Sequence, residues 1–493
     1  MTVAGGSSGS GSKSPVKILA NIFISFIGAG VLGLPFAFKE AGILEGAIVM
    51  SLVGMISVKA MLLLIDCKYR ILEKYHPPIK KHGDSFITEV TLDHTEETDG
   101  LMDGEVKTDS DMEIEKKANC TWHDKIEDSR NGFCTFSNMK NQQEPANTEI
   151  TYGDVGYQAI GHAGRMLVDM AIVISQTGFC CAYIIFITEN LSAYFPNMKM
   201  QVWLLILLPP LSLLTLARHL GGLALTSLLA QCSNLFAFAV VLWFDFEHLH
   251  TIEVHPKKMK LKGLPFFLAI SIYCYEGAGM ILHLESSVAE SVRYKFKRYF
   301  ITTMVIVTSM YVSFGSCGYA SFGKETNQII TLNLPQGESL DFSMIVKSCL
   351  CLALFFTYPV MMFPVMQILD GYLIWEPENN KGKGNVLRIS MVVLTGFIVL
   401  MIPSFSNIMA LVGATCCTLL AFTLPGLFHM TIFKGTLSKC QVFFDWFLII
   451  LGIIGAIIGT LDTLNRLAKL GAVEQIPRDI LANQTAVAAT GQK

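Results

Sequence analysis

Charge is scarce in this sequence. Only 16% of its 493 residues are Asp, Glu, Lys or Arg, against roughly 25% in ordinary soluble domains. A chain of this length would need two to four soluble domains, and it has too little charge to clothe them. Catalytic signatures are also missing. No GxSxG or HExxH occurs, and the P-loop spacing in GYASFGKE (Gly318, Gly323, Lys324) fails because Glu325 stands where Ser or Thr is required. The run also ends an apolar segment instead of joining a strand to a helix. These absences leave a membrane enzyme a distant third reading. Thirteen cysteines are present, but they form no disulfide framework. Cys180, Cys181, Cys232, Cys274, Cys317, Cys349, Cys351, Cys416 and Cys417 fall inside apolar runs, where cysteine serves as a small apolar residue. No Cys/His set has metal-ligand spacing, so no metal is expected. The opening MTVAGGSSGSGSKSPVK lacks an apolar stretch followed by a cleavage site, which argues against a signal peptide.

What is abundant is apolar sequence, with a mean hydropathy of +0.48. Continuous runs near 20 residues, the length a helix needs to cross a hydrocarbon core, predict eleven spans. They lie at 16–38, 43–65, 165–188, 201–217, 222–244, 263–284, 298–321, 342–366, 386–404, 407–430 and 443–466. The strict alternation and short length of β-barrel strands are absent. The fold class is therefore an all-α polytopic membrane protein. A division follows: a flexible N-terminus 1–15, spans 1–2 in 16–70, a polar loop 71–150, spans 3–11 in 151–466, and a tail 467–493.

Lysine and arginine bias places the N-terminus in the cytosol and the C-terminal tail outside it. Lys13, Lys17, Lys68, Arg70, Arg218, Arg293, Lys295, Lys297, Arg298, Lys381, Lys383, Arg388, Lys434 and Lys439 then face the cytosol, while PKKMKLK at 256–262 is the exception. The loop between spans 2 and 3 carries twelve acidic residues and one lysine from Asp84 to Glu115. Such a stretch is expected to be disordered. It is either a solvated insert or a docking segment for a cytosolic partner. The sequon at Asn119 would be cytosolic with Cys120 and Cys134, whereas those at Asn190 and Asn483 would not.

Two spans carry helix breakers at matching depths. Span 1 holds Gly28-Ala29-Gly30, followed by Gly33 and Pro35, and span 6 holds Gly277-Ala278-Gly279. Each tripeptide lies about 18–21 Å along its helix by the 1.5 Å rise, near mid-membrane. Paired interruptions of this kind mark the binding site of inverted-repeat transporters. The competing explanation is close helix packing, which suffices for GAIIG at 455–459. Glu276 precedes the second tripeptide. A carboxylate in the hydrocarbon region costs several kcal/mol unless paired or protonated, so it is either a coupling group or an anchor for unwound backbone. His283 fits a satisfied polar contact, and Asp169 with Arg165 at i−4 fits a plain ion pair.

Five ordered blocks, GAGVLGLPFAF, TYGDVGYQAIGHAGR, QTGFCCAYIIFITENL, CYEGAGMILHLESSV and SFSNIMALVGATCCTLLAFTLPGLFHM, resemble the amino acid/auxin permease family. The resemblance spans Ala20 to Thr460 outside the acidic insert. It is closest to the vacuolar transporters of plants and fungi and the animal proton-coupled branch. It implies the five-plus-five inverted repeat of LeuT-like transporters in the APC superfamily, with helices 1 and 6 unwound around an amino acid and alternating access. On that basis Gly28, Ala29 and Gly30 are assigned to the substrate carboxylate, facing the start of a half-helix Val31–Phe38. Carbonyls near Tyr273, Cys274 and Tyr275 are assigned to its ammonium, and Gly277 to the substrate site. Ser175, Gln176, Thr177 and Phe179 on span 3 and Thr357 on span 8 are candidates for side-chain selectivity, with core packing the alternative. Asn21 stands where the animal branch has a histidine, which leaves Glu276 as the expected proton-coupling residue. The implied function is transport of small neutral amino acids driven by a proton gradient, at a vacuolar or lysosomal membrane in preference to the plasma membrane. Sodium coupling and an amino-acid-sensing receptor using the same pocket are the alternatives.

Overall fold

A computed structural model describes residues 12–75, 150–216, 261–334, 342–374 and 380–490, with scattered positions between 233 and 243. The acidic stretch, the Asn119 sequon, Cys120, Cys134, Arg218, Cys232, most of predicted span 5, and Lys257, Lys258 and Lys260 lie outside it. So does the side chain of Asn483. Among the described residues, eight helices are long and apolar enough to cross a membrane, and nine when the bent pair at span 1 is counted as one. The helix Met200–Thr215 is shorter, and Pro209 and Pro210 lie within it. No strand forms among these residues beyond an isolated bridge between Ser12 and Val288.

The reason for an all-helical chain is the solvent. Without water in the bilayer core, each backbone polar group must be satisfied within its own segment. The side chains follow the same logic. Phe443, Ile453, Ile457 and Leu461 on the last helix are about half exposed or more, a surface that lipid tolerates and water does not. Spans 3 (His162–Tyr194) and 10 (Phe405–Ile432) are the most enclosed, with 78% of their apolar windows buried, and the last helix the least, with 28%. The core therefore gathers around spans 3 and 10, with span 11 at the rim.

Boundaries shift from the sequence reading in informative places. Span 2 runs Ile43–Tyr75 and span 3 reaches Tyr194, each 33 residues, longer than hydropathy alone defines because polar turns extend them past the hydrocarbon. Before span 3, the helix Tyr152–Ile160 starts on a reciprocal capping box between Thr151 and Asp154. It ends at Gly161, whose φ of 71° suits glycine. The last helix continues in backbone from Lys439 to Thr490, through the segment read as a tail. The packing reading of GAIIG fits Gly459, where an added Cβ would lie 2.8 Å from Ala414 Cβ.

Polar links sort the spans into two groups. In the first, Lys68 of span 2 meets Glu285 at the end of span 6 at 2.5 Å, and Lys297 of span 7 (Phe296–Phe322) pairs with Asp66 of span 2. Ser12, ahead of span 1, exchanges backbone hydrogen bonds with Ser287 and Ala289 after span 6, both at 3.2 Å. In the second, Tyr372 of span 8 (Phe342–Leu373) donates to Asp169 of span 3 at 2.9 Å. Tyr358 of span 8 meets Thr395 of span 9 (Lys381–Met401) at 2.8 Å, and Arg388 of span 9 pairs with Asp370 of span 8 at 2.7 Å. Spans 1, 2, 6 and 7 thus cohere as one unit, and spans 3, 8 and 9 as another.

Candidate functional site

Span 1 breaks where its glycines stand. The first half, Pro15–Phe26, is followed by Ile27 and Gly28 in extended conformation. A 3-10 turn over Ala29–Gly33 then leads to a second helical half, Leu34–Ala41. The two halves are bent by 51°. The expected half-helix Val31–Phe38 is thereby corrected: the turn nearest the break is 3-10, and α-helix resumes at Leu34. Pro35 sits in the first turn of that helix, where its missing N–H costs nothing, so it starts the second half. Among the described residues, no backbone hydrogen bond is donated by Gly28, Ala29 or Gly30. An added Cβ at Gly28 would meet nothing within 4 Å. The break therefore presents unspent N–H groups beside open space.

Span 6 breaks at the matching place. Its first half is Leu264–Cys274 and its second Ala278–Ser286, leaving Tyr275, Glu276 and Gly277 between them. Glu276 is partly exposed, yet its Oε2 is buried without a hydrogen-bond partner among the described residues. Tyr273 lies against Gly30, with ring carbons 2.9 and 3.0 Å from an added Cβ, and Cys274 Sγ is 3.2 Å from the same point. Phe179 of span 3 meets the Tyr273 ring edge-on at 4.6 Å. Gly30, Tyr273, Cys274 and Phe179 are thus brought together, and Gly28 faces space beside them.

Other predicted site residues are placed differently. The Tyr275 side chain turns to span 7, where its hydroxyl meets Thr308 at 2.9 Å. Gly277 packs under the Phe26 ring, so an added Cβ there would collide with it. Ser175, Thr177 and Thr357 donate their hydroxyl hydrogens to Ile172, Val173 and Ala353 on their own helices. Gln176 has a buried Oε1 without a partner among the described residues. Asp169 lies 3.8 Å from Arg165, which also pairs with Asp154 at 3.1 Å; the interfacial ion pair expected there is present. Asn190 is fully buried, donates to Phe186 at 2.8 Å and accepts from Thr331 at 3.0 Å. It is therefore no glycan acceptor in this structure, because a sequon shows spacing and not burial.

Sequence reasoning passed over three contributors. Tyr311 of span 7 donates to the Phe26 carbonyl at 2.5 Å and lies 3.3 Å from the Cys274 carbonyl; nothing marks one tyrosine among fourteen. Span 10 contains wide π-helical turns at Gly413–Cys417 and Leu419–Thr423, a form that recurs at functional positions. Gly413 presses against the Ala269 carbonyl and lies 3.1 Å from Tyr273 Cβ by its added Cβ. Third, the turn Ile330–Asn333 packs on the turn Ala29–Gly33. Val31, Leu32 and Leu34 are consequently almost wholly buried, whereas Gly28 is partly and Gly279 well exposed. The site is covered from the second half of span 1 and accessible from the other side.

Comparison with known proteins places this geometry. The sequence profile of the family described as "Transmembrane amino acid transporter protein" matches residues 11–85 and 133–464. The Arabidopsis thaliana protein amino acid transporter ANT1 is 29% identical over 480 residues, covering 92% of this chain and 93% of that protein. Amino acid transporter AVT3B from the same plant is 29% identical over 479 residues, covering 92% and 94%. A solved structure of a Na+-coupled sialic acid symporter, substrate-bound and outward-open, aligns with a TM-score of 0.42 at 10% identity, over 91% of this chain and 96% of that one. These relatives are transporters and not enzymes. The chain, a multi-pass helical protein with two unwound spans meeting at mid-bundle, belongs to the transmembrane amino acid transporter protein family.

Proposed function

We propose that the two breaks form the binding site of a secondary transporter for small neutral amino acids, with Glu276 coupling transport to protons. The observation that carries this reading is the break in span 1, with unspent N–H groups at Gly28–Gly30, packed against Tyr273 and Cys274 at the break in span 6, where Glu276 Oε2 is buried without a hydrogen-bond partner among the described residues. The N–H groups open the second half of span 1, so backbone donors and the positive end of the helix dipole both favour a carboxylate. The first half of span 6 ends in carbonyls at Tyr273 and Cys274, which favour an ammonium. Part of that capacity is already engaged, because Tyr273 accepts from Glu276 N at 3.4 Å and Cys274 from Tyr311. The space is small: Tyr273, edge-on to Phe179, fills the side facing Gly30. That favours short side chains.

Glu276 is the carboxylate that stands at the break of span 6 itself. Asn21 offers no titratable group, and Asp169 is held by Arg165 and Tyr372. A carboxylate with a buried, partnerless oxygen is stable when protonated and costly when charged. Binding of an ammonium beside it changes that balance, which links substrate to proton. The one-sided exposure of Gly28 and Gly279 corresponds to an inward-facing conformation if the N-terminus is cytosolic. Alternation follows when the unit of spans 1, 2, 6 and 7 moves against that of spans 3, 8 and 9. The resemblance of the five sequence blocks to vacuolar transporters supports a vacuolar or lysosomal membrane.

The test is uptake of labelled amino acids into proteoliposomes under an imposed pH or sodium gradient. Accumulation of alanine-sized substrates under an inward proton gradient is expected. Accumulation driven only by sodium would move the coupling to that ion, and no accumulation under any gradient would end the transport reading.

A further inference from the structure

Tyr311 stands at the one point where both broken helices end. It is fully buried on span 7. Its hydroxyl donates to the Phe26 carbonyl, the last of the first half of span 1, at 2.5 Å. The same oxygen is 3.3 Å from the carbonyl of Cys274, the last residue of the first half of span 6. Both carbonyls are left over by helix termination, and both carry the negative end of a helix dipole. Two such ends repel unless a donor or a cation lies between them.

The hydroxyl is held in place by its surroundings. The Tyr311 ring lies 5.4 Å from the ring of Tyr275, and Tyr275 is itself fixed by its hydroxyl on Thr308, one turn before Tyr311. Span 2 closes this cluster from behind: an added Cβ at Gly54 would lie 2.8 Å from Thr308 Oγ1 and 2.9 Å from Tyr275 Oη. Tyr311 has little freedom to turn away. Its one hydrogen is shared between two acceptors, mainly Phe26 at 2.5 Å and more weakly Cys274 at 3.3 Å. The Cys274 carbonyl keeps most of its accepting capacity.

We propose that Tyr311 is a positioning residue for the substrate site: its hydroxyl ties the ends of the two half-helices together, fixes their separation, and leaves the Cys274 carbonyl available to a substrate ammonium. The inference rests on reading the breaks as the amino-acid site. It adds a residue that touches neither end of the substrate yet sets the distance between the N–H groups of Gly28–Gly30 and the carbonyls opposite them. Without the tie, the spacing relaxes and a ligand must restore it at the expense of affinity.

The experiment compares L-alanine uptake by wild type and Tyr311→Phe in proteoliposomes, over a range of alanine concentration. Tyr311→Phe should raise the half-saturation concentration about five- to tenfold, the order of one lost buried hydrogen bond, while the maximal rate per folded protein stays within about twofold. A merely structural role lowers the amount of active protein and leaves half-saturation unchanged, and that result would overturn the proposal. A second measurement covers a variant that does not fold. With 3-fluorotyrosine in place of Tyr311, which keeps the hydroxyl, wild-type half-saturation should return and the fluorine resonance should move on addition of saturating L-alanine. An unmoved resonance in a protein that transports alanine would overturn the positioning role alone. Absence of alanine uptake by the wild type would overturn the substrate reading and this inference with it.

Discussion

Two alanine substitutions two residues apart should have opposite consequences. At Gly28 the backbone is extended, with φ −123° and ψ −179°, a conformation open to any residue, and an added Cβ meets nothing within 4 Å. Gly28→Ala should therefore fold and melt as the wild type does. At Gly30 the new Cβ would lie 2.9 Å from Tyr273 Cε1 and 3.2 Å from Cys274 Sγ. Tyr273 is buried and held edge-on by Phe179, so it cannot swing aside. Overpacking of this kind costs about 1–3 kcal/mol, and Gly30→Ala should lower the thermal midpoint of the purified protein. The function moves the other way. The methyl at Gly28 enters the space where a carboxylate would meet the free N–H groups, and a steric loss of about 1–3 kcal/mol corresponds to roughly a 5- to 150-fold rise in half-saturation. The assay pairs thermal unfolding in detergent with concentration-dependent uptake in proteoliposomes. Wild-type uptake kinetics in Gly28→Ala would refute the location of the site, whatever Gly30→Ala does.

Further outcomes follow from burial and contact. Lys68→Met leaves Glu285, which is 1% exposed, facing Tyr69 and Arg293. It should destabilise the protein by about 3 kcal/mol, the low end for a broken buried pair, read as a fall in the thermal midpoint; an unchanged midpoint would show that pair to be dispensable. Gly459→Val should loosen span 11 from span 10, since even a Cβ there lies 2.8 Å from Ala414, whereas Gly455→Ala, with only Thr418 Cγ2 at 3.9 Å, should be tolerated. Equal midpoints for the two would contradict the packing. Asn190→Gln should leave electrophoretic mobility unchanged before and after glycosidase treatment, and a mobility shift would contradict the burial of Asn190.

The fold was largely legible because the bilayer imposes a one-dimensional code. Apolar length finds the spans, and glycines placed alike in spans 1 and 6 find the breaks. The candidate site was legible only as a break in the backbone, as at Gly28–Gly30. Side chains were harder. Tyr275 and Gly277 stand beside Tyr273 in sequence, yet one turns to Thr308 and the other packs on Phe26. Tyr311 lies far from both breaks along the chain and reaches them only through helix packing. Asn190 carries a surface motif on a buried face. Each of these depends on rotation of one helix against another, which hydropathy does not encode.

Proton-driven uptake by Glu276→Gln addresses the central claim most directly. The substitution keeps the shape of the side chain and removes its ability to gain or lose a proton. With an inward proton gradient, the wild type should accumulate amino acid above the external concentration. Glu276→Gln should lose that accumulation and its dependence on pH while still exchanging labelled for unlabelled substrate. If Glu276→Gln accumulates substrate as the wild type does, with an unaltered pH profile, then the carboxylate between the half-helices of span 6 does not couple protons to transport.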